Sequence, residues 1–551
     1  MMQFPARARF APFSHAGHWP SWIALGAAAA CMAPAGAAEF DTGNPELKVR
    51  WDNSVKYSGA VRVAARNPAV ASANPSAANL DDGDNNFSRG LVSNRVDLLS
   101  EIDASYHGTM GLRLAGAAWY DTVYNRANDN ASATVNTDAG LAATRQFPQA
   151  TRDVMGRRAE VLDAFLYLKS DNSSEVPYTL RLGRHSLVLG ESLFFGANGI
   201  AQAQQPTDLV KLLMVPGSQF KEIVRPVGQL SGQVTLPGGV LLGGYYQLQW
   251  QANRIPQSGS YLSSADFVGD GARSIMGPGG PMPVRVFDAR NSGQGGVQLR
   301  FKGFNDNVEF GVYAARYHDK GPQNYINLSN GAWEEYFAEG VKTAGFSFST
   351  VLGETNVAGE MSLRSNAPLV SDPQAGSGGG NGSDRPFYAV GRTAHLNLSA
   401  IMLMPRTSLW DGASLVAEAA WNRTLSVSAN PGALADNTTR DALGVRAIFT
   451  PQYFQITPGV DLNLPLGIGY NPYGRSSSVF MFNGGSSKGG DLSIGLEADY
   501  NKRFKASLSY NRFLGKANSF LNVGGVHGQH LTFDQALADR NFLSFSLQTT
   551  F

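Results

Sequence analysis

The strongest regularity along the chain is a two-residue alternation of apolar and polar side chains. At the C-terminus Leu543, Phe545, Leu547, Thr549 and Phe551 fall on one side and Ser544, Ser546, Gln548 and Thr550 on the other, the period of an extended strand. A second run sets Val460, Leu462, Leu464, Leu466, Ile468 and Tyr470 opposite Asp461, Asn463, Gly467 and Gly469. Its length suits a tilted transmembrane strand of about 9 to 11 residues and exceeds that of most sandwich strands. The pattern recurs in Leu492, Ile494, Leu496, Ala498 and Tyr500, opposite Ser493, Glu497 and Asp499. A turn at Asn501-Lys502-Arg503 follows, and Phe504, Ala506, Leu508 and Tyr510 return along the apolar face, with Lys505, Ser507, Ser509 and Asn511 inward. Earlier segments agree, with His395, Asn397 and Ser399 between Leu396, Leu398 and Ala400, and Glu418 and Asn422 opposite Leu415, Ala417, Ala419 and Trp421.

Such strands read as an all-β, antiparallel transmembrane barrel, apolar toward lipid and polar toward a lumen. Short connections at 107–109, 170–177, 237–239, 303–306, 353–354, 405–412, 455–459 and 501–503 alternate with long ones near 66–92, 121–157, 190–222, 251–293, 318–342, 366–389, 426–440, 471–489 and 516–540. Eight turns and nine loops predict about eighteen strands, with sixteen the nearest alternative, long extracellular loops and both termini periplasmic. Trp51, Trp119, Trp421, Tyr470 and Tyr500, near strand ends, are expected in interfacial girdles.

Residues 190–222 break the pattern. Leu193, Phe194, Phe195, Ile200, Leu212, Leu213, Met214 and Val215 are interleaved there with Glu191, Asp208, Lys211, Lys221 and Glu222. An exposed loop of that content would aggregate, so it is expected to fold into the lumen and constrict it, with Phe194, Phe195 and Met214 lining an apolar site. A plug packed only for stability is the alternative. On the first strand Lys48, Arg50, Lys56 and Arg62 share one face, which reads either as a basic ladder guiding an anionic group or as bases paired with Asp52, Asp97, Glu497 and Asp499 across a polar interior.

The first residues alter the picture. Arg7 and Arg9 precede an apolar stretch from Trp22 to Ala33 that ends in Ala35-Gly36-Ala37-Ala38, the parts of a secretory signal peptide over 1–38. That stretch is shorter than the roughly 18 to 20 apolar residues that span a bilayer, and no later run reaches that length. The one cysteine, Cys31, lies within it, so no disulfide or cysteine metal site is expected in residues 39–551, and lipidation at Cys31 is the weaker reading. Charged residues make up 16% of the chain, below the usual quarter or so of soluble proteins. Two of 45 basic residues lie in 1–38, leaving 43 against 44 acidic ones, a formal charge of −1 that offers nothing to nucleic acid.

Catalytic motifs are poor, and no enzyme activity or cofactor is expected. Gly485-Ser486-Ser487-Lys488-Gly489 matches G-x-S-x-G without the strand-to-helix turn that the motif needs. His527-Gly528-Gln529-His530 lacks a third ligand for zinc. Asp81-Asp82-Gly83-Asp84-Asn85-Asn86 could hold calcium weakly, but without a Glu at the twelfth position it reads first as a solvated loop, and no metal is assigned.

The segments RLGRHSLVLGES (181–192), PTDL (206–209), PGSQFKE (216–222), YYQLQW (245–250), RPFYAVGRTAHLNLSA (385–400), SLVAEAAWNR (414–423), GGDLSIGL (489–496) and the terminal ADRNFLSFSLQTTF together resemble a family of proteobacterial outer-membrane proteins, domain-of-unknown-function family 1302. In that family a Trp usually precedes the Gly-Glu-Ser, where this chain has Leu189. The resemblance covers nearly all of the chain after the leader. It implies an outer-membrane barrel associated with export or uptake of hydrophobic compounds, working with a periplasmic lipoprotein-like partner and an inner-membrane pump. Transport of small hydrophobic or amphipathic molecules across a membrane of lipid and lipopolysaccharide is therefore the expected function. A general diffusion porin, or a surface or assembly protein binding partners through long loops, are the alternatives.

Overall fold

The computed structural model describes residues 38–71, 79–131, 139–171, 173–204, 206–277, 279–523 and 528–551. The expected leader up to residue 37, with Cys31, and His527 lie outside the described residues.

Eighteen antiparallel strands close on themselves. They are β1 (Leu47–Arg62), β2 (Gly90–Tyr106), β3 (Met110–Asp121), β4 (Arg157–Lys169), β5 (Tyr178–His185) and β6 (Val227–Thr235). Then come β7 (Leu241–Gln247), β8 (Gln294–Gly303), β9 (Val308–Tyr317), β10 (Val341–Leu352), β11 (Thr355–Pro368) and β12 (Val390–Met404). The set ends with β13 (Gly412–Ala429), β14 (Asp441–Thr457), β15 (Val460–Asn463 and Leu466–Gly474), β16 (Gly490–Tyr500), β17 (Phe504–Leu514) and β18 (Phe542–Thr550). Each strand pairs with its neighbour in sequence, and β18 closes onto β1 from Ser54↔Thr550 to Arg62↔Phe542. All eight turns and nine loops of the alternation are present, so the count is eighteen, not sixteen.

The outer wall is apolar. Leu182, Met361, Leu398 and Leu547 are about half exposed, while Ser544, Ser546, Glu360 and Glu418 on the opposite face are buried. An exposed apolar band encircling the sheet needs a hydrocarbon solvent. Trp119 departs from the girdle: it is buried and faces inward. The long run from Val460 is also interrupted, because Pro465 has no N–H for the ladder, and pairing resumes at Leu466.

The turns at one end are tight. Asn501 and Lys502 both have positive φ, 52° and 55°, and Arg503 N donates to Tyr500 O at 3.0 Å, the type I′ hairpin that matches strand twist. The long loops do not trail into solvent. Five short strands (Ser274–Gly277, Gly280–Phe287, Pro322–Asn327, Ala332–Phe337 and Gln374–Gly376) form a second sheet. Leu80, Phe267, Ile275, Trp333, Val370 and Leu531, drawn from five different loops, share one core. The loops are a folded cap over the outer mouth, which period-two reading of the strands does not reveal.

Candidate functional site

The loop between β5 and β6 (186–226) enters the lumen, and acids on the wall hold it. Glu418, on the inward face of β13, accepts backbone N–H bonds from Leu193, Phe194 and Phe195 at 3.1, 2.5 and 3.1 Å and a hydroxyl bond from Ser192 at 2.9 Å. Glu360, on β11, accepts from Glu191 N at 2.6 Å and Ile200 N at 2.9 Å. Between these anchors Asn198 donates to Asn397 at 2.7 Å and meets His395 Nδ1 at 3.1 Å. An irregular segment has no ladder for its N–H groups, and the two carboxylates take that role.

The returning leg is anchored on the opposite wall. Asp208 caps the short helix Leu209–Met214 by accepting from Lys211 N at 2.9 Å and also accepts from Arg254 at 2.6 Å. Arg254 donates in turn to Glu160 of β4 at 3.0 and 2.5 Å. Trp119 is the platform: Arg95, Lys211 and Arg254 lie 4.7, 5.0 and 5.7 Å from its ring centroid, an electrostatically favourable stack on an aromatic face. Lys211 Nζ is 3.8 Å from Glu222, which also closes a capping box with Gln219. Farther down, Lys221 pairs with Glu101 of β2, beside Arg113.

The individual placements are unequal. Phe195 does not line open space; it is buried with Ala420, Ala442, Val479 and Phe482, and Phe194 packs against that cluster half-buried. Met214 is buried under the cap with Ala60, Val92, Tyr124 and Tyr261. Packing contacts across the lumen wall and cap, invisible along the chain, claim both side chains. The most exposed apolar groups of the loop are Leu212, Leu213 and Phe220, at 51%, 45% and 65%, with Val188 and Leu193 exposed as well. Val210 and Met214 on the same helix pack into the cap core, and Leu212, half a turn round the helix from Val210, points away from it. Lys221, the neighbour of Phe220, reaches Glu101, which pairs with Asp52, well below the cap-side end of β1. Phe220 thus lies beside a contact in the half of the lumen nearer the short turns. Glu191 is 3.2 Å from Arg300, yet burial pushes its carboxyl above the ordinary range, the desolvation outweighing the arginine.

The four bases of β1 divide into two pairs. Lys48 and Arg50 are exposed at the lower end, where Arg50 is 2.8 Å from Asp52. Lys56 and Arg62 are buried, and Arg62 lies 2.6 Å from Asp84 and 3.2 Å from Asp539. Asp97 meets Arg95 at 2.7 Å instead of a β1 base. The Asp81–Asn86 stretch is not a solvated loop: Asp82–Asn85 is a short helix, and Asp82, Asp84 and Asn86 are buried under the cap. Leu189 packs with Ile200, Tyr245 and Tyr313 at the loop root, beside a cavity of about 70 Å³ lined by Leu187, Arg181, Gln233 and Gln298.

Glu360, Glu160, Arg254 and the inward role of Trp119 were not singled out from sequence. The signal for Glu360 and Glu160 was their parity, acids on the lumen side of otherwise apolar strands; for Arg254, in a loop, there was none.

The family model described as "Protein of unknown function (DUF1302)" matches residues 19–551. No curated relative matches the chain. Among solved structures it is similar to Salmonella typhi OmpF in complex with daunomycin, with 9% identity, TM-score 0.36, and 93% of this chain and 100% of that one covered. It is similar to Pseudomonas aeruginosa OpdK with vanillate, with 10% identity, TM-score 0.38 and coverage of 91% and 98%. It is also similar to Acinetobacter baumannii OccAB3, with 10% identity, TM-score 0.41 and coverage of 91% and 99%.

Proposed function

The chain belongs to the DUF1302 family, and within that family we propose that it is an outer-membrane channel for small hydrophobic or amphipathic organic compounds. The observation that carries the reading is the loop 186–226, tied to both walls and presenting Leu212, Leu213 and Phe220 to the lumen. Water contact with three large apolar side chains is unfavourable by about 25 cal/mol per Å². A ligand with an apolar body relieves that cost, and Lys48 is an exposed cation for a polar end, with Arg50 and Lys221 exposed beside it in ion pairs with Asp52 and Glu101. Export through the cell envelope, with a periplasmic lipoprotein-like partner delivering cargo from an inner-membrane pump, is the direction proposed, since Lys221, beside Phe220, is held in the half of the lumen nearer the short turns. The folded cap weighs against a general diffusion porin, whose mouth must stay open to bulk water.

The test is the triple variant Leu212→Ser, Leu213→Ser, Phe220→Ser in planar bilayers and in binding of a fluorescent fatty-acid analogue. The wild type is expected to bind the analogue and to show few ohmic steps. The variant should bind at least tenfold more weakly with the barrel intact, because these side chains support no core. Undiminished binding, or large steady porin-like steps in the wild type, would overturn the proposal.

A further inference from the structure

A second constellation lies in the cap, away from the loop. Asp81 and Asp82, at the start of the short helix, and Asp266, in the fourth surface segment (248–293), each place a carboxylate oxygen within 4.8 Å of the other two. All three residues are buried. Asp81 Oδ1 and Asp266 Oδ1, on residues only 9% and 2% exposed, have no hydrogen-bond partner, while Asp266 Oδ2 accepts from Asp82 N at 3.3 Å. The nearby guanidinium groups do not answer this charge. Arg62 and Arg540 are engaged by Asp84, at 2.6 and 3.1 Å, and by Asp539, at 3.2 and 3.4 Å. Burial pushes the Asp81 carboxyl up to about 7 and, with Asp82 and Asp81 adding to it, the Asp266 carboxyl well above its ordinary range. Buried carboxylates in this state are relieved by a proton or by a cation.

We propose that Asp81, Asp82 and Asp266 bind one divalent cation, calcium by its chemistry, and that it fastens the first surface loop to the fourth across the outer mouth of the barrel. Oxygens sharing one calcium at about 2.4 Å lie no more than about 4.8 Å apart, the spacing seen here. The donors are all oxygen, which suits a hard cation and not zinc or copper. Calcium also accepts irregular geometry and backbone carbonyls, where magnesium demands an octahedron. The fourth segment packs its backbone against the turn that carries Asp81 and Asp82, its Ser263 O also accepting from Arg540 at 3.3 Å. A Cβ at Gly83 would meet Ser263 O at 2.5 Å and Ser260 O at 2.7 Å, so only glycine lets that backbone reach the turn between Asp82 and Asp84. The acidic run noticed in the sequence thus gains its third carboxylate from 184 residues farther on, while Asp84 serves the arginines.

The experiment is a calorimetric titration of the refolded barrel, free of lipopolysaccharide, with calcium chloride, paired with thermal unfolding in calcium and in a chelator. One equivalent of calcium per chain and a higher thermal midpoint in calcium are expected. Asp266→Asn and Asp81→Asn should each weaken binding at least tenfold. Because either change also removes a buried charge, the variants should match or exceed the wild type in chelator, and their midpoints should ignore calcium. No saturable uptake by the wild type at millimolar calcium, or full binding by Asp266→Asn, would overturn the proposal. So would a wild-type midpoint that is indifferent to calcium and chelator and simply falls as pH rises through 7, the behaviour of a shared proton.

Discussion

At the scale of single residues, the lumen is organised by acids that receive hydrogen bonds from backbone. Glu418 holds three successive N–H groups and one hydroxyl, and each donor stranded by its removal costs about 1–3 kcal/mol. Glu418→Ala should therefore free the 191–200 segment, read as new protease cleavage there and noisier single-channel records, with β13 still paired. Glu418→Gln, which keeps acceptor oxygen on one arm, should be milder; equal sensitivity of the two would contradict the role given to the carboxylate. Arg540 is a different case. It is fully buried and pairs with Asp84, and breaking a buried pair from one side costs about 3–5 kcal/mol. Arg540→Ala should destabilise the cap by up to that order, read as a lower denaturant midpoint, and an unchanged midpoint would show that Arg62, already 2.6 Å from Asp84, suffices alone. None of these roles was visible as a motif. The inward parity of Glu418 was legible in its strand, but its partners in the loop lie more than 220 positions away.

At the scale of elements, strands and turns followed local rules closely. The β16–β17 turn places Asn501 and Lys502 in the left-handed region, which costs a residue with a Cβ about 1–2 kcal/mol. Lys502→Gly should recover part of that and speed refolding of the C-terminal hairpins; slower refolding would argue against the turn assignment. Where a strand met proline the local rule also held, and β15 breaks at Pro465. The inward loop was legible as an anomaly, apolar residues without period, yet which of them face water was not. Phe195 and Met214 satisfy their hydrophobicity against strands and cap, leaving Leu212, Leu213 and Phe220 the most exposed.

At the scale of the whole molecule, the cap gives the barrel a pH dependence of its own. Burial, with Asp270 adding to it, pushes the Glu335 carboxyl up to about 8. Its folded value is thus above the unfolded one of about 4.3. The contribution is present in full at pH below that value and is lost as pH rises through about 8. Protease resistance of the cap should fall between pH 6 and 9, and Glu335→Gln, permanently neutral, should flatten that part of the profile. A profile identical in the variant would assign the effect elsewhere. The sequence alone determined a closed wall of about eighteen strands, because lipid on one side and a polar lumen on the other imprint a period of two on the strands and turn residues mark the reversals; the structure decided between eighteen and sixteen. Only the tertiary structure decided the folded cap, the path of the loop and the burial of Asp84 and Trp119. Those depend on contacts between residues tens to hundreds of positions apart, and such contacts leave no periodic trace in the chain.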